Sequence, residues 1–369
     1  MRPVYVAGTG RYLPGAPIPV EEIDRVLGPL DDAPAPIRRW MVQLAPVMRE
    51  LLAIRRVHYA IDPVTRAQTD DNVTMATKAA RTALEHAGLD ASDVQLLCYG
   101  SAHQDQMPTA SVRIQEALGI ERCAELSIHA NCTSAYKAIF LAWHLLRTGV
   151  YDTALVASAS VASSELRAEY FNQKLVDKES IFLRWFLSDG AGALVLTTDP
   201  ARSRGLAIEH AYFESIGGKR PSLMWNQRPA YWMNPRDEFE GGLHHLRQRF
   251  RDELASSSFQ EEGGSVFLHG LSRMLAQAQI DPRTIRRFQV NLPARHVVAS
   301  VVDECEAIGV ARGALYSKLD EEGYSGPPMP LICLDRIVRE ETLAPGDRIV
   351  SFVTEVSKFM QAGYAAVHD

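Results

Sequence analysis

The five cysteines of this chain, Cys98, Cys123, Cys132, Cys305 and Cys333, are odd in number and scattered, and no CxxC pair occurs. No His or Cys pair has zinc-site spacing either, so a disulfide framework is excluded and no metal site is expected. No apolar run approaches the ~20 residues of a membrane-spanning helix. An excess of positive charge is also missing: 39 Lys and Arg stand against 45 Asp and Glu, for a net charge of -6. That balance argues against nucleic acid or an anionic membrane as the main partner. The Gly-rich "SDGAGA" (Ser188–Ala193) is no phosphate loop, because no Lys-Ser/Thr follows it and no GxGxxG opens a helix. The opening "MRPVYVAGTGRYLPG" runs into a strand and a turn rather than a signal-peptide layout, so the expected compartment is the cytoplasm.

What is present is an ordinary globular composition. The 369 residues are 46% hydrophobic and 23% charged, a length at which one core splits into two large halves. Strand-like and helix-like runs alternate, which predicts an α/β architecture. "NVTMATKAARTALEHAGL" (Asn72–Leu89) reads as a helix with Ala76, Ala79, Ala80, Ala83 and Leu84 on one face and Gly88 as its stop. "ALVASASVA" and "GAGALVLTTD" read as strands covered on both faces. "AGLDASDVQLLCYGS" (Ala87–Ser101) is echoed in element order by "AQIDPRTIRRFQVNL" (Ala278–Leu292), each followed by a helix. A period of about half the chain predicts two related halves, 1–200 and 201–369, parting near "TTDPARSRG" (Thr197–Gly205).

Two segments fit neither half. Pro29–Arg56 contains an amphipathic helix that Pro46 is expected to interrupt, and Gly217–Asp252 gathers Trp225, Tyr231 and Trp232. Each can serve as a lid over a pocket, as a dimer surface, or as a plain surface elaboration.

Cys98 in "VQLLCYG" and Cys333 in "PLICLD" lie in strand-like runs and read as core thiols. Cys132 is different. It sits in "SIHANCTSAYKA" (Ser127–Ala138), after the strand-like "CAELSI" and before Ala135, Ala138, Ile139 and Ala142 at helical spacing. A helix N-terminus favours a thiolate and aims backbone N–H groups at a developing oxyanion. Thr133, Ser134 and Ala135 are small enough to admit a substrate carbonyl. On these features alone a buried core thiol and a nucleophile both remain open.

Several motifs together resemble the ketoacyl-acyl-carrier-protein synthase III group of the thiolase superfamily, nearly end to end. They are "VAGTGRYLPG", "SAHQDQMPTASVRIQEALGI", "ANCTSAYKA", "FLSDGAGALVL" (Phe186–Leu196, with Ser188 for the first Gly of the motif) and "LAPGDRIVSF". The resemblance implies the five-layered αβαβα thiolase fold, a homodimer, and Cys132 as the nucleophile. It also implies a coenzyme A or phosphopantetheine thioester as substrate, with no tightly bound cofactor.

The chain departs from the pattern at the other catalytic positions. Asn291, in "QVNLPARHVV", falls where the group has the His of Pro-His-Gln-Ala-Asn, and Tyr324, in "DEEGYSGPPMP", falls where it has the Asn of Gly-Asn-Thr-Ser. The late Gly-rich loop has become "TEVSKFMQAGY", with Gly363 retained. Such donors stabilise the enolate of a decarboxylative condensation, whereas acylation of the Cys does not require them. The expected activity is therefore acyl transfer from acyl-CoA or acyl carrier protein, through S-acyl-Cys132, to an alcohol or amine in specialised metabolism. The alternatives are a decarboxylative Claisen condensation at a rearranged site using Asn291 or Tyr324, and a catalytically silent partner subunit.

An alcohol or amine acceptor calls for a general base, for which His103, His129 and His296 are candidates. His269 reads as a surface or packing residue, and His244 and His245 as solvated residues of a charged helix. Asp189 reads as a turn carboxylate that fixes a loop. Arg38, Arg39, Arg55 and Arg56 are the cations that the resemblance places near a phosphate at the tunnel mouth. Trp225 and Trp232 are candidates for lining the substrate site.

Overall fold

The computed structural model describes residues 1–369 except 53, 104–106, 229–233, 250–256, 291, 293 and 294, with the side chains of Arg49 and His296 also left aside. Ten strands form one sheet: β1 (Tyr5–Tyr12), β2 (Leu96–Ser101), β3 (Ala124–His129), β4 (Thr153–Ser160), β5 (Gly190–Thr197), β6 (Leu206–Ser215), β7 (Ile285–Gln289), β8 (Leu315–Tyr316), β9 (Arg348–Glu355) and β10 (Met360–His368). Their order across the sheet is β8-β7-β9-β10-β6-β1-β5-β4-β2-β3. The first five strands run β1-β5-β4-β2-β3 outward from the centre, and the last five run β6-β10-β9-β7-β8. Pairing sense repeats as well. In each half the two inner pairs and the outer pairs match: β1/β5 and β6/β10 are antiparallel, β5/β4 and β10/β9 antiparallel, β4/β2 and β9/β7 parallel, β2/β3 and β7/β8 parallel.

Helices repeat in the same places. α1 (Ala35–Leu51) belongs to the first insertion, followed by α2 (Asn72–Ala87), α3 (Ala110–Leu118), α4 (Ser134–Arg147), α5 (Val266–Ala278), α6 (Arg295–Ala307) and α7 (Met329–Glu340). α2 and α3 cover the outer face of the first half-sheet, and α5 and α6 lie on the second half. α4 and α7 lie between, with α4 touching strands of both halves. This is the five-layered αβαβα thiolase arrangement. Three apolar clusters follow from it: a central one around α4 and α7, and one under each outer helical layer.

Local sequence explains most of these elements. Asp71 accepts the Thr74 N–H at 2.8 Å to start α2, and Gly88, left-handed at φ 63°, ends it. Ala76, Ala79, Ala80, Ala83 and Leu84 are buried along that helix as the spacing predicts.

Three expectations are corrected. α1 continues through Pro46, which lies on its exposed face. Cys333 is buried but lies on α7, not on a strand, because a helix packed between two half-sheets is apolar on most sides and hides its period. His244 and His245 are buried, not solvated, in a turn. His244 Nε2 meets the Tyr170 carbonyl at 2.6 Å, and His245 Nε2 accepts the Asn172 N–H at 3.0 Å. Burial, then His244 and Arg247, pushes the His245 imidazole down to about 4.

Candidate active site

The parallel strands β2, β3 and β4 end on the same edge of the sheet, and the chain leaves β3 through Ala130–Thr133 into α4. The turn is held tightly: the Ala130 N–H donates to the Ser101 carbonyl at 3.4 Å and the Ser134 N–H to Asn131 at 3.0 Å. Gly100 makes the close approach feasible. A Cβ there would lie 2.4 Å from the Ser134 carbonyl oxygen, so α4 sits with its first turn against bare backbone. Ala135, Ala138, Ile139 and Ala142 are fully buried beneath it.

Cys132 is half-buried at this elbow, with Sγ 2.9 Å from the Tyr324 hydroxyl. Tyr324 is itself locked from both sides. Its N–H donates to the Phe186 carbonyl at 3.2 Å, and its carbonyl accepts the Ser188 N–H at 2.9 Å. The Ser188 hydroxyl accepts the His58 N–H at 2.8 Å and donates to the Glu322 carbonyl at 2.9 Å. Next to it, the Asp189 carboxylate accepts the Ala60 N–H at 2.7 Å and both the N–H and hydroxyl of Ser163. Asp189 thus ties three loops together, and burial pushes its carboxyl up to about 6. The "FLSDGAGA" segment serves the site by holding Tyr324 in place.

The first turn of α4 has a partner that the sequence did not suggest. Glu355, 1% exposed at the end of β9, accepts the Thr133 N–H at 3.0 Å and the Thr133 hydroxyl at 2.6 Å through Oε2, while Oε1 accepts from Ser357. The signal was present in the strand's period of two. Ile349, Ser351, Val353 and Glu355 fall on one face, and Ile349 and Val353 pack into the central cluster. A carboxylate on the inward face of an apolar strand points to a buried contact. One turn into α4, the Tyr136 hydroxyl meets Ser351 Oγ at 2.7 Å. Behind it the Tyr364 hydroxyl donates to Gln289 Oε1 and the Pro330 carbonyl, each at 3.3 Å.

Burial, followed by the Glu355 charge, pushes the Cys132 thiol up to about 12, and the Tyr324 hydroxyl and the Cys132 backbone N–H act against them. Burial and the neighbouring Cys132 hold Tyr324 well above its ordinary value, and burial raises Tyr136. All three groups are protonated at neutral pH.

The remaining candidates are dispersed. His129 is exposed, on the same face of β3 as Ser127, because Leu126 and Ile128 take the face toward the central layer. His103 follows β2, its N–H donating to Ser101 Oγ, and its Nε2 lies 3.7 Å from Glu165 Oε2 just past β4. It pairs with that carboxylate rather than with Cys132, and Glu165 was also missed from the sequence. Asn291 and Trp232 lie outside the described residues. His296 is on α6, its side chain not described. Trp225 pairs with Arg247 in a two-residue ribbon and carries the Arg249 guanidinium 5.5 Å over its ring.

Arg38 is exposed on α1 and Arg56 on a two-residue strand paired with Pro19. Gly363 is not in a loop. It lies mid-strand in β10 opposite Phe352, where a Cβ would meet Met274 Sδ at 2.5 Å and the Ser351 carbonyl at 2.6 Å, so its role is packing under α5.

The family described as 3-oxoacyl-(acyl-carrier-protein) synthase III matches residues 126–215, the span that contains Cys132 and the Gly-rich strand. Beta-ketoacyl-(acyl-carrier-protein) synthase III of Rhizorhabdus wittichii is 24% identical over 360 residues, covering 95% of each chain. The enzyme of that name from Cereibacter sphaeroides is 30% identical over 192 residues, covering 52% of this chain and 50% of its own. Among solved structures, "AbyA1 - tetronic acid condensing enzyme" superposes with a TM-score of 0.78 at 19% identity, covering 99% of both chains. FabH of Pseudomonas aeruginosa gives a TM-score of 0.72 at 19% identity, covering 100% of this chain and 98% of its own. No helix among the described residues is long and apolar enough to cross a membrane.

Proposed function

We propose that this chain, which is similar to 3-oxoacyl-(acyl-carrier-protein) synthase III over residues 126–215 and 24% identical to an enzyme of that kind along nearly its whole length, is an acyltransferase working through an S-acyl-Cys132 intermediate. One observation carries this reading. Cys132 stands at the N-terminus of the central helix with a neutral hydroxyl, not an imidazole, 2.9 Å from its sulfur. In the first step Sγ attacks the thioester carbonyl of an acyl-CoA or acyl-carrier-protein donor. The Cys132–acyl bond forms, the donor C–S bond breaks, and the thiol proton leaves on the departing thiol. The Tyr324 O–H steadies the sulfur as its charge develops, as a preorganised donor does.

The acyl group then passes to an alcohol or amine in specialised metabolism. His103, oriented by Glu165, opens on the same sheet edge as Cys132 and takes the acceptor's proton. Arg38 and Arg56, exposed and without an ion pair among the described residues, receive the phosphates of the donor. The same reading includes a cytoplasmic homodimer whose chain divides near residue 200, with the nucleophile in the first half.

The test is intact-protein mass spectrometry with a panel of acyl-CoAs and acyl carrier proteins. An acyl adduct is expected on the native chain and absent in Cys132→Ala. Its discharge by amines or alcohols supports transfer. A second reading, decarboxylative Claisen condensation, is favoured by the protonated Tyr324 hydroxyl, which can donate to an enolate oxygen. Discharge only by malonyl thioester, with release of CO₂, selects it. The absence of an adduct with every donor would instead support a silent partner subunit.

A further inference from the structure

The N-terminus of α4 holds more negative charge than a nucleophile helix needs. Its unpaired backbone N–H groups and its dipole can stabilise an anion, and that anion is expected to be the Cys132 thiolate. Glu355 is already there. Its carboxylate occupies the Thr133 N–H at 3.0 Å and the Thr133 hydroxyl at 2.6 Å, and it is 1% exposed. A second negative charge beside it is opposed by Coulomb repulsion that buried surroundings screen poorly.

Among the described residues, the hydroxyls near the thiol do not compensate. Tyr324 from the 324 loop and Tyr136 from α4 are neutral, and Cys333 on α7, near Tyr136, is a buried thiol. The cations closest in sequence are directed elsewhere: Lys137 Nζ meets Met360 Sδ at 3.3 Å, and Lys358 Nζ donates to the Arg220 carbonyl at 2.7 Å.

We propose that Glu355 is a positioning residue for the nucleophile, fixing the first turn of α4 through Thr133 while its charge holds Cys132 in the thiol form until a donor thioester is bound. The inference rests on the reading of Cys132 as the acylated residue. It implies a latent nucleophile, unreactive toward small electrophiles at neutral pH. The carboxylate takes the place of a fully available helix terminus, and in sequence it falls in the segment that replaces the Gly-rich loop.

The test is the pH dependence of Cys132 alkylation by iodoacetamide, read by peptide mass spectrometry, which separates Cys132 from the other four thiols. Glu355→Gln keeps the size of the side chain and a carbonyl to accept from Thr133 but removes the charge. Its alkylation midpoint is expected to fall by at least one pH unit, with about tenfold faster labelling at pH 8. Thr133→Val removes the hydroxyl contact and leaves the charge, so its midpoint is expected to stay within about 0.3 unit of the native value. A purely structural role would move both variants alike through disorder of α4, and that outcome, or an unmoved or raised midpoint in Glu355→Gln, overturns the proposal.

If Glu355→Gln does not fold, Glu355→Asp draws the charge back by one methylene and must lower the midpoint; no fall there also overturns it. Failure of this inference and of acyl transfer are distinguishable. A native enzyme that forms the acyl adduct while Glu355→Gln keeps its midpoint overturns the positioning role alone. A lowered midpoint in a protein that no thioester acylates overturns acyl transfer alone.

Discussion

At the scale of single residues the site is a balance around one sulfur. Tyr324 and Glu355 act on Cys132 with opposite signs, one stabilising a thiolate and the other opposing it. Tyr324→Phe removes the hydroxyl at 2.9 Å and leaves the sulfur without its donor. Hydrogen bonds to charged groups contribute about 1.5–3 kcal/mol, so the S-acylation rate is expected to fall about 10- to 100-fold. Stopped-flow acylation checks the rate, and the alkylation midpoint should rise. His103→Ala should leave adduct formation within about twofold of native and slow its discharge to an alcohol or amine by about 10²-fold, as loss of a general base does. Equal slowing of both steps would show that the His103–Glu165 pair does not serve the acceptor.

At the scale of elements, the position of Cys132 depends on the contact between β2 and α4. Gly100 is where strand and helix meet, and any Cβ there collides with the Ser134 carbonyl. Gly100→Ala must push the first turn of α4 away from the sheet. Overpacking of this kind costs about 1–3 kcal/mol, measurable by urea denaturation. The same displacement shifts Sγ relative to Tyr324, which is held by Phe186 and Ser188 and does not follow. S-acylation should therefore drop by at least tenfold in the fraction that remains folded, a loss larger than the stability change explains. The far-UV circular dichroism of that fraction should match the native chain.

At the scale of the whole molecule, acid sensitivity should trace in part to His245. Its folded-state pKa, pushed down to about 4, lies below the unfolded value of about 6.5. The unfolded chain therefore binds the extra proton between those values, and stability falls as pH drops from about 6.5 to about 4. Asp189, pushed up to about 6, works the other way. Its folded state holds the proton more tightly, so its contribution falls as pH rises from about 4 to about 6. His245→Asn retains an acceptor for the Asn172 N–H and removes only the first of these. Thermal melts of this variant across pH 4–7 should show a smaller acid-side loss than native, and identical slopes would overturn the assignment.

Much of this architecture was legible along the chain. The helix over Asn72–Ala87, the strands around Cys98 and Gly190, the elbow at Cys132 and the doubled order of elements all follow from local periodicity, caps and glycines. These depend on residues a few positions apart. The strand, turn and buried helical face around Cys132 left a core thiol and a nucleophile both open, and the resemblance to synthase III singled it out. What surrounds the sulfur could be decided only by the fold. Tyr324 is 192 positions from Cys132, and Glu355 is 222 from Thr133. Neither contact leaves a local signature beyond one carboxylate on the inward face of a strand. Whether that thiol is activated or restrained is set by burial and by a charge delivered from the other half of the molecule, quantities that exist only once the two half-sheets have closed on α4.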